Sequence, residues 1–495
     1  MYNGLSAKEK RVVTVPTADI GVIGLAVMGQ NLVLNLSDHG HTVAVFNRTG
    51  AKTDEFLNGE AAGKDINGAQ DLPAFVGLLK RPRCVLLMIK AGAPVDAQIE
   101  ALLPLLDDGD IIMDGGNSLY TDSERRCVDL SSRGIHFVGA GISGGEEGAR
   151  NGPSIMAGGD PAAWPIIEPI ITSIAATYEG EATAGWVGSG GAGHYVKMVH
   201  NGIEYGDMQV IAEAYDIMSR GLRMSAAEMQ SRFIAWNEGK LDSYLVEITS
   251  EILGHTTDGV ATVDLILDAA GQKGTGKWTV IASMEEGMPV TLVGESVYAR
   301  MVSALVGERQ RASQVLGGAT EPISDDPQSV IHDLRDAVYG SKIVSYAQGF
   351  MLFRAASEEY QWDLRPDVIA SLWRAGCIIR SQFLGDITSA YRANPDLENL
   401  LVDDYFATEI ASTLPGWRRT VARAAMAGIP VPAYASALAF FDGYRAPRLP
   451  ANLIQAQRDY FGAHTYERID RERGEWFHTD WTGHGGGVTS GTYEA

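Results

Sequence analysis

The hydrophobic positions near the start of the chain predict a strand, a glycine turn, a helix and a second strand. Residues 20–23 are uniformly apolar, and the turn GLAVMG follows at 24–29. A helical pattern runs over residues 30–37, and a second apolar run occupies 42–46. Short apolar runs bounded by turns are typical of buried strands, so this part of the chain predicts a βαβ unit.

The same alternation continues to about residue 190. Apolar runs recur at 84–89, 110–113 and 135–138, with helical patterns between them. Uniformly apolar strands that alternate with helices are typical of a doubly wound parallel sheet covered on both faces. Beyond about Gly193 only helical patterns follow. The predicted fold is an α/β Rossmann-like N-terminal domain, a large all-α domain and an extended C-terminal tail.

We place the domain boundaries where these patterns change. The predicted domains are residues 1–190, which bind a dinucleotide, residues 191–446, which are all-helical, and residues 447–495, the tail. The tail begins near two prolines and carries aromatic residues with few helix signals. We therefore expect an extension that packs on another surface, such as a second subunit.

The helical region contains a weak internal repeat. The motif WxxGxL at residues 236–241 resembles WxxGxI at 373–378, 137 positions later. Upstream of these motifs, Asn201-Gly202 and Tyr339-Gly340 occupy similar places. We hypothesise that half of the helical domain is duplicated, with the chemistry in only one copy.

Composition excludes several classes of protein. Of 495 residues, 45% are hydrophobic and 21% are charged, which is ordinary for a folded chain. No apolar run approaches the ~20 residues that a membrane span needs, and no signal-peptide pattern is visible. The net charge of −22 opposes binding to nucleic acid or anionic membranes. An anionic small molecule stays open, because a binding site depends on local charge.

The three cysteines carry a separate prediction. Cys84, Cys127 and Cys377 are widely spaced and provide neither a metal-binding pattern nor a disulfide framework. We therefore expect no metal and a cytoplasmic location, where thiols stay reduced.

The glycine turn has the features of a pyrophosphate-binding site. Gly24 permits a tight turn, Gly29 permits close helix–strand packing, and the helix N-terminus presents free N–H groups. The middle glycine of the GxGxxG pattern is replaced by Ala26. The alternative is a glycine-rich turn of another α/β protein. The predicted cofactor-binding turn consists of Gly24, Leu25, Ala26, Val27, Met28 and Gly29.

The residues that end the second strand indicate which nicotinamide cofactor is bound. An NAD site places an acidic residue there to accept from the ribose 2′-hydroxyl. This chain has Asn47, Arg48 and Thr49 instead. Arg48 can pair with a 2′-phosphate, which predicts NADP. An ordinary solvated arginine is the alternative.

Further polar residues follow the later predicted strands. Lys90, Asn117 and Ser143 with Gly144 and Gly145 all come just past predicted strand ends, where ligands bind in doubly wound sheets. The serine hydroxyl and the backbone N–H groups could hold a carboxylate. Alternatively, the glycines merely turn the chain.

The most informative segment opens the helical region. Lys197, His200, Asn201, Glu204 and Tyr205 stand at positions i, i+3, i+4, i+7 and i+8, which places them on one helix face. A base, an acid and hydrogen-bonding groups on one face can form an active site. The alternative is a solvated stripe with one ion pair.

A basic, glycine-rich loop follows later in the helical region. It occupies residues 271–278 and leads into a predicted helix. Lys273 and Thr275 in this loop could hold a phosphate, and Arg300 lies on a later predicted helix. Each of these alone would more often be structural.

Six segments, taken together and in order, resemble the decarboxylating 6-phosphogluconate dehydrogenases. The resemblance covers nearly the whole chain beyond the first dozen or so residues, and Ala26 is itself the usual residue of that family. The segments are GLAVMG at 24–29, NRT at 47–49, GGEEGAR at 144–150, KMVHNGIEY at 197–205, GQKGTGKW at 271–278 and QRDYFGAH at 457–464.

The resemblance implies an activity and residue roles. The reaction would be oxidation and decarboxylation of 6-phosphogluconate to ribulose 5-phosphate and CO2 with reduction of NADP, in the oxidative pentose phosphate pathway, by a homodimer with shared active sites. Lys197 would be the general base and Glu204 the general acid. The cofactor site would also include Ile89, Lys90, Ala91 and Asn117. The sugar acid would be held by Asn117, Ser143, Gly144, Gly145, His200 and Asn201. The phosphate would be held by Tyr205, Lys273 and Arg300, with Arg458 and His464 from the partner subunit.

Two other functions stay open on the residues alone. One is oxidation of a short 3-hydroxy acid without phosphate, against which the basic loop and the tail argue. The other is a catalytically silent NADP-binding protein, against which the presence of both Lys197 and Glu204 argues. A sugar-nucleotide dehydrogenase would require a suitably placed catalytic cysteine, which the sequence does not offer.

Overall fold

The computed structural model describes residues 18–272, 274–318 and 320–485, and its first third forms an eight-stranded sheet. The strands of this region are β1 (Ile20–Ile23), β2 (Val43–Phe46), β3 (Ile66–Ala69), β4 (Cys84–Leu87), β5 (Ile111–Asp114), β6 (His136–Ser143), β7 (Ser154–Gly159), β8 (Thr177–Tyr178), β9 (Glu181–Ala182) and β10 (Ala184–Ser189). The order in the sheet is β10-β7-β6-β5-β4-β1-β2-β3, and β8 and β9 form a separate hairpin.

Strands β1 to β6 run parallel, as predicted for five of them, whereas β3 was not predicted and β7 is antiparallel to β6. The sheet is therefore mixed. The connection between β6 and β7 covers only residues 144–153, which is shorter than the dozen or more residues that a parallel crossover needs. Strand β10 then pairs in parallel with β7.

Seven helices of this first third pack around the sheet, and strands β1, β2, β4 and β5 are buried on both faces. In β1 the side chain of Val22 packs in one apolar cluster and that of Ile23 in the other, as the alternation of a strand requires. The helices are α1 (Val27–Asp38), α2 (Gly50–Asn58), α3 (Leu72–Gly77), α4 (Ala93–Leu102), α5 (Tyr120–Ser131), α6 (Gly145–Asn151) and α7 (Trp164–Ile174).

The helical region follows directly. Its helices are α8 (Ala192–Asp216), α9 (Ala226–Asn237), α10 (Tyr244–Gly254), α11 (Thr275–Glu285), α12 (Thr291–Ala304), α13 (Val306–Leu316), α14 (Pro327–Tyr360), α15 (Pro366–Leu372), α16 (Leu384–Ala393), α17 (Asp404–Ala427) and α18 (Pro432–Tyr444), with a short hairpin of β11 (Thr256–Thr257) and β12 (Val260–Ala261). Helix α8 is central, because it packs against the sheet through β6, β7 and β10 and against α11, α12 and α14.

Glycines allow α8 to approach the sheet closely. A Cβ on Gly193 of α8 would clash with the carbonyl oxygen of Gly139 in β6, and a Cβ on Gly141 would clash with the Lys197 side chain. The apolar run at 135–138 predicted a strand that ends before Gly139, but β6 continues to Ser143. That prediction was wrong because these glycines serve helix–strand packing rather than a change of chain direction.

A buried ion pair joins α8 to α14. Lys342 Nζ lies 2.5 Å from Asp207 Oδ2, and both side chains are at most 1% exposed. Burial raises the pKa of Asp207, and the Lys342 ammonium opposes that shift. Tyr346 Oη donates to the carbonyl oxygen of Ile379 at 2.8 Å, which fixes the same interior.

Two features of the helical region support the internal repeat hypothesised from the sequence. The segments that follow α9 and α15 pair through an antiparallel bridge between Ser243 and Ser381, residues that are 138 positions apart. When two copies are related by a local two-fold axis, equivalent residues next to that axis pair with each other, as these two serines do. On either side, Gly202 of α8 contacts Thr279 of α11, and Gly340 of α14 contacts Trp417 of α17. Helices α8 and α11 thus correspond to α14 and α17.

The described chain divides into two compact units, Met1–Leu438 and Ala439–Ala495. The second contains α19 (Ala451–Gly462) and a hairpin of β13 (Tyr466–Glu467) and β14 (Trp476–Phe477). The tail was expected to have few helix signals, but α19 is a regular helix of 12 residues. The buried carboxylate of Asp459 links α19 to the end of the described tail by accepting from Thr479 N at 3.0 Å and Trp481 Nε1 at 2.8 Å.

In the described part of the chain, no helix is both long enough and apolar enough to cross a membrane.

We predict that Lys342→Met lowers the free energy of unfolding by about 3–5 kcal/mol, because it leaves Asp207 as an unpaired buried charge. The loss should shrink as the pH is lowered, since a protonated Asp207 needs no cation. Chemical denaturation followed by tryptophan fluorescence measures both effects. The matched control is Arg365→Met, which breaks an exposed ion pair with Asp367 and should cost less than about 1 kcal/mol. Equal losses in the two variants would contradict the prediction.

Candidate active site

The predicted dinucleotide turn has the required backbone geometry. Gly24 has φ +106°, and a Cβ there would clash with the carbonyl oxygen of Met88. A Cβ on Gly29 would clash with the carbonyl oxygen of Gly24, so the helix and the turn can meet only through glycine. Helix α1 begins at Val27 without a side-chain cap and without an acidic residue in its first turn. Its N–H groups are therefore available to an anion.

Asn47 has a positioning role that the sequence did not reveal. Its Oδ1 accepts from Leu25 N at 3.1 Å, and its Nδ2 donates to the Thr49 carbonyl oxygen at 3.1 Å. One amide thus ties the end of β2 to the glycine turn. Arg48 and Thr49 are exposed beside it, and the contact of Arg48 with a phosphate stays a prediction.

Residues after β4 and β5 complete this edge of the sheet. Ile89, Lys90 and Ala91 follow β4, and Asn117 follows β5 with an exposed side chain. The loop that carries Asn117 is held by Asp114. Its Oδ1 accepts from Gly116 N at 3.0 Å, and its Oδ2 accepts from Ser118 Oγ at 2.6 Å.

The polar stripe on α8 is buried rather than solvated. Lys197 is 6% exposed and His200 is fully buried, with Asn201 and Tyr205 also buried. The side chain of Glu204 is 23% exposed. The alternative of a solvated stripe is therefore wrong. The cause is the close contact between α8 and β6, which the glycines of the strand allow.

Burial shifts the acid and the base of this stripe toward their neutral forms. It lowers the pKa of the Lys197 ammonium, and the nearby Glu204 carboxylate opposes that change. Burial likewise raises the pKa of Glu204, against the effects of Lys197 and Arg300. The two groups lie seven residues apart, roughly 10 Å along the helix axis. Such a pair can take a proton at one end of a small molecule and return one at the other.

His200 lies between these two groups and is held as a neutral imidazole. Its Nδ1 lies 3.4 Å from Lys197 Nζ and 4.0 Å from Glu204 Oε2. Burial and the neighbouring Lys197 keep the pKa of His200 well below its ordinary value. Asn201 Oδ1 lies 3.0 Å from Nδ1, so an N–H donated there leaves Nε2 as an acceptor.

Two groups from distant segments meet His200 Nε2. Ser143 Oγ at the end of β6 lies 3.1 Å away, and Cys377 Sγ lies 2.8 Å away. The structure thus brings the predicted Ser143 to the α8 stripe. It adds Cys377, which sequence reasoning did not place at the site. Burial raises the pKa of the Cys377 thiol to about 11, so it is a neutral hydrogen-bonding group.

Gly144 and Gly145 connect β6 to α6. Both have positive φ, +110° and +63°, and a Cβ on Gly144 would lie 2.6 Å from the Gly376 carbonyl oxygen. They turn the chain and also bring it against the segment that carries Cys377. The alternative of a purely structural turn thus describes part of their role, and their contact with a ligand stays a prediction.

One cationic group stands at the far end of the stripe. The Arg300 guanidinium on α12 lies 3.6 Å from the ring centre of Tyr205, and its Nη1 donates to the Gly271 carbonyl oxygen at 3.2 Å. The loop was predicted over residues 271–278, but α11 begins at Thr275, so the last four of those residues belong to the helix. Lys273 of that loop lies outside the described residues.

The last two predicted site residues belong to the second compact unit. Arg458 lies on α19, where its Nη1 donates to Gln455 Oε1 at 2.7 Å, and His464 follows the helix. Their contribution to a phosphate site stays a prediction.

Two family profiles match the chain. The NAD binding domain of 6-phosphogluconate dehydrogenase matches residues 19–188, and the 6-phosphogluconate dehydrogenase C-terminal domain matches residues 193–481.

Similar proteins come from distant organisms. The Saccharomyces cerevisiae protein named 6-phosphogluconate dehydrogenase, decarboxylating 2 is 56% identical over 490 residues, covering 96% of this chain and 99% of that protein. The Homo sapiens 6-phosphogluconate dehydrogenase, decarboxylating, is 56% identical over 481 residues, covering 97% of this chain and 99% of the human one.

A solved structure shares the fold. Plasmodium falciparum 6-phosphogluconate dehydrogenase, known in its apo form and in complexes with its cofactor NADP+ and its substrate 6-phosphogluconate, aligns with a TM-score of 0.90. It is 43% identical, and the alignment covers 94% of this chain and 100% of that chain. With both domains matched, full-length relatives at 56% identity and the α8 stripe in place, the chain belongs to the decarboxylating 6-phosphogluconate dehydrogenase family.

Proposed function

We propose that the α8 site catalyses oxidation and decarboxylation of 6-phosphogluconate to ribulose 5-phosphate and CO2, with NADP as the oxidant. The chain is an NADP-dependent oxidoreductase of the pentose phosphate pathway, as its relatives and its structural neighbour indicate. The observation that carries the proposal is the pairing of buried Lys197 with half-buried Glu204, which supplies one base and one acid on one helix face.

The edge of the sheet fits NADP. When bound, NADP accepts a hydride from the substrate at its nicotinamide ring. The open N-terminus of α1 suits the pyrophosphate, and Arg48 beside a turn without carboxylates suits the 2′-phosphate. We assign the cofactor contacts to residues 24–29, Asn47, Arg48 and Thr49, with Ile89, Lys90, Ala91 and Asn117 at the adjoining strand ends.

Lys197 begins the reaction as a neutral amine. It takes the proton of the substrate 3-hydroxyl while the hydride leaves C3, which gives a 3-keto acid. The resulting ammonium polarises the new carbonyl and gives its proton to the C3 oxygen as the C1 carboxylate leaves as CO2, so the electron pair forms an enediol between C2 and C3. Glu204 then protonates the former C2, which becomes C1 of the product, while Lys197 takes back the proton of the C3 hydroxyl and the keto sugar phosphate results. A protonated Glu204 at the start is what the raised pKa of that carboxyl favours.

The remaining residues hold the substrate. We assign the sugar acid to Asn117, Ser143, Gly144, Gly145, His200 and Asn201, because the described members converge on the Lys197 end of the stripe or the sheet edge beside it. We assign the phosphate to Tyr205, Lys273 and Arg300 at the Glu204 end. The stacking of Arg300 on Tyr205 supports a substrate orientation with the phosphate at this end.

We further propose a homodimer in which Arg458 and His464 of each tail complete the phosphate site of the partner. A phosphate dianion favours more cations than Lys273 and Arg300 supply. The second unit also exposes apolar side chains that a partner would cover, with Leu453 61% and Phe461 73% exposed on α19.

The domain limits and the location are proposals as well. Limits of 1–190, 191–446 and 447–495 are supported at their first boundary by the two family profiles, which meet between residues 188 and 193. A cytoplasmic location is supported by three free cysteines, two of them buried.

We predict that Lys197→Met lowers turnover by more than about 100-fold, because a thioether cannot accept the hydroxyl proton. NADPH formation at 340 nm and released CO2, both measured with NADP and 6-phosphogluconate, report the two halves of the reaction. Lys64→Met is the matched control, since it removes a surface lysine that pairs with Asp38 and should leave turnover near wild type. Near-normal turnover in Lys197→Met would refute the assignment of the base.

The shared site predicts complementation between two nearly inactive variants, Lys197→Met and Arg458→Ala. In a heterodimer with exchanged tails, one site carries both defects and the other carries neither. Random reassortment gives half heterodimers, so activity should recover to about one quarter of wild type. The variants are denatured and refolded together and assayed against unmixed controls. If heterodimers form by mass spectrometry but activity does not recover, each tail serves its own subunit and the proposal fails.

A further inference from the structure

A second cavity lies in the helical region, away from the α8 stripe. Its volume is about 630 Å³, and its walls come from α9, α14, α17 and the loop at residues 239–241. Trp236 and Tyr339 contribute aromatic surface. None of the residues assigned to the cofactor, the substrate or the proton transfers lines it, so the proposed reaction does not account for it.

The internal repeat makes this cavity the counterpart of the active site. The offset of 138 that relates Ser243 to Ser381 also relates Lys197 to Arg335 on α14. The loop of the second cavity corresponds to the segment that brings Cys377 to His200. Helix α17, which closes the cavity, takes the place of α11, as the contacts of Gly202 and Gly340 indicate.

The second cavity lacks a base and an acid at the positions equivalent to Lys197 and Glu204. A guanidinium offers only hydrogen-bond donors, so Arg335 cannot replace the Lys197 amine as a base. The position equivalent to Glu204 is Lys342, which is buried in its ion pair with Asp207 and donates no proton to the cavity. The cavity can therefore bind a ligand without turning it over.

The charges that remain favour an anion. Arg232, Lys240 and Arg335 line the cavity against the two carboxylates of Asp336 and Glu409. This local excess of cations occurs in a chain whose net charge is −22. The charged residues that line the cavity thus have a net positive charge, whereas the protein as a whole is negative.

The existing contacts leave one cation with unused hydrogen-bonding capacity. Lys240 Nζ neutralises Glu409 at 2.6 Å, and Arg335 Nη2 lies 3.4 Å from Asp336 Oδ1. In contrast, Arg232 Nε is buried and has no hydrogen-bond partner within the described ranges of the chain. Arg232 is thus the cation of the cavity whose charge neither lining carboxylate neutralises, since Glu409 pairs with Lys240 and Asp336 with Arg335.

We propose that this cavity is a second, non-catalytic binding site for a small phosphate monoester. The arginine guanidinium groups match phosphate geometry, and the aromatic surfaces suit a short carbon chain. A phosphorylated sugar acid of the kind that the α8 site takes meets both requirements. Occupancy of the cavity does not depend on the proposed reaction.

The test is the number of 6-phosphogluconate molecules bound per chain, measured by equilibrium dialysis with the labelled compound and no NADP. We expect two in the wild-type protein and one in Arg232→Gln/Arg335→Gln. The matched control Arg365→Gln removes an exposed arginine far along the chain and should keep two. Arg300→Gln should lose the active-site molecule and keep the other, so failure of the α8 assignment and failure of the second site give different results.

Two outcomes would overturn the proposal. The first is a single molecule per chain in the wild-type protein, unchanged in the double variant. The second is two molecules in both proteins, because the extra molecule would then lie elsewhere. The single variant Arg335→Gln, expected to bind the second molecule about tenfold more weakly, repeats the test if the double variant unfolds. Turnover near wild type confirms that the variants at Arg232 and Arg335 are folded, since the α8 site includes neither arginine.

Competition identifies the group that is recognised. Inorganic phosphate should displace the molecule that the double variant lacks, whereas unphosphorylated gluconate should not. Displacement by gluconate alone would refute recognition of a phosphate monoester.

Discussion

The low polarity around α8 is the constraint on which the catalytic geometry depends. The helix is enclosed by the sheet on one side and by α11, α12 and α14 on the others, yet it carries Lys197, His200 and Glu204 in one row. Separate charges are costly in such surroundings. Burial therefore lowers the pKa of Lys197 and raises the pKa of Glu204. Both shifts favour the neutral forms that a base and an acid need at the start of the reaction.

The surrounding structure maintains this balance. Gly139 and Gly141 admit α8 against β6, which excludes water from the base. On the opposite side, Asp207 lies one turn beyond Glu204, and its negative charge raises the pKa of that acid. Lys342 neutralises Asp207 from α14 and so keeps a buried carboxylate from standing unpaired beside the acid. Folding and proton transfer therefore rely on the same helix contacts.

Local patterns were enough to predict the glycine turn, strands β1, β2, β4, β5 and β6, the helical region and the five polar positions on α8, whereas β3 was missed. Each follows from periodicity within about a dozen residues. Features set by distant contacts could not be predicted this way. Cys377 reaches His200 from 177 residues away, and the burial of Lys197 comes from a strand more than 50 residues earlier. The antiparallel direction of β7 follows from the short connection after β6. The periodicity of the sequence does not reveal where that connection begins and ends.

The central claim is that Lys197 and Glu204 begin the reaction with one proton between them, carried by Glu204. The pH profile of kcat/KM for NADPH formation tests it most directly in wild type and Glu204→Gln. In wild type, activity should fall at low pH as Lys197 becomes protonated and at high pH as Glu204 loses its proton. Glutamine imitates the protonated acid, so the variant should keep the low-pH limb and lose the high-pH limb. A high-pH limb unchanged in the variant would contradict the account.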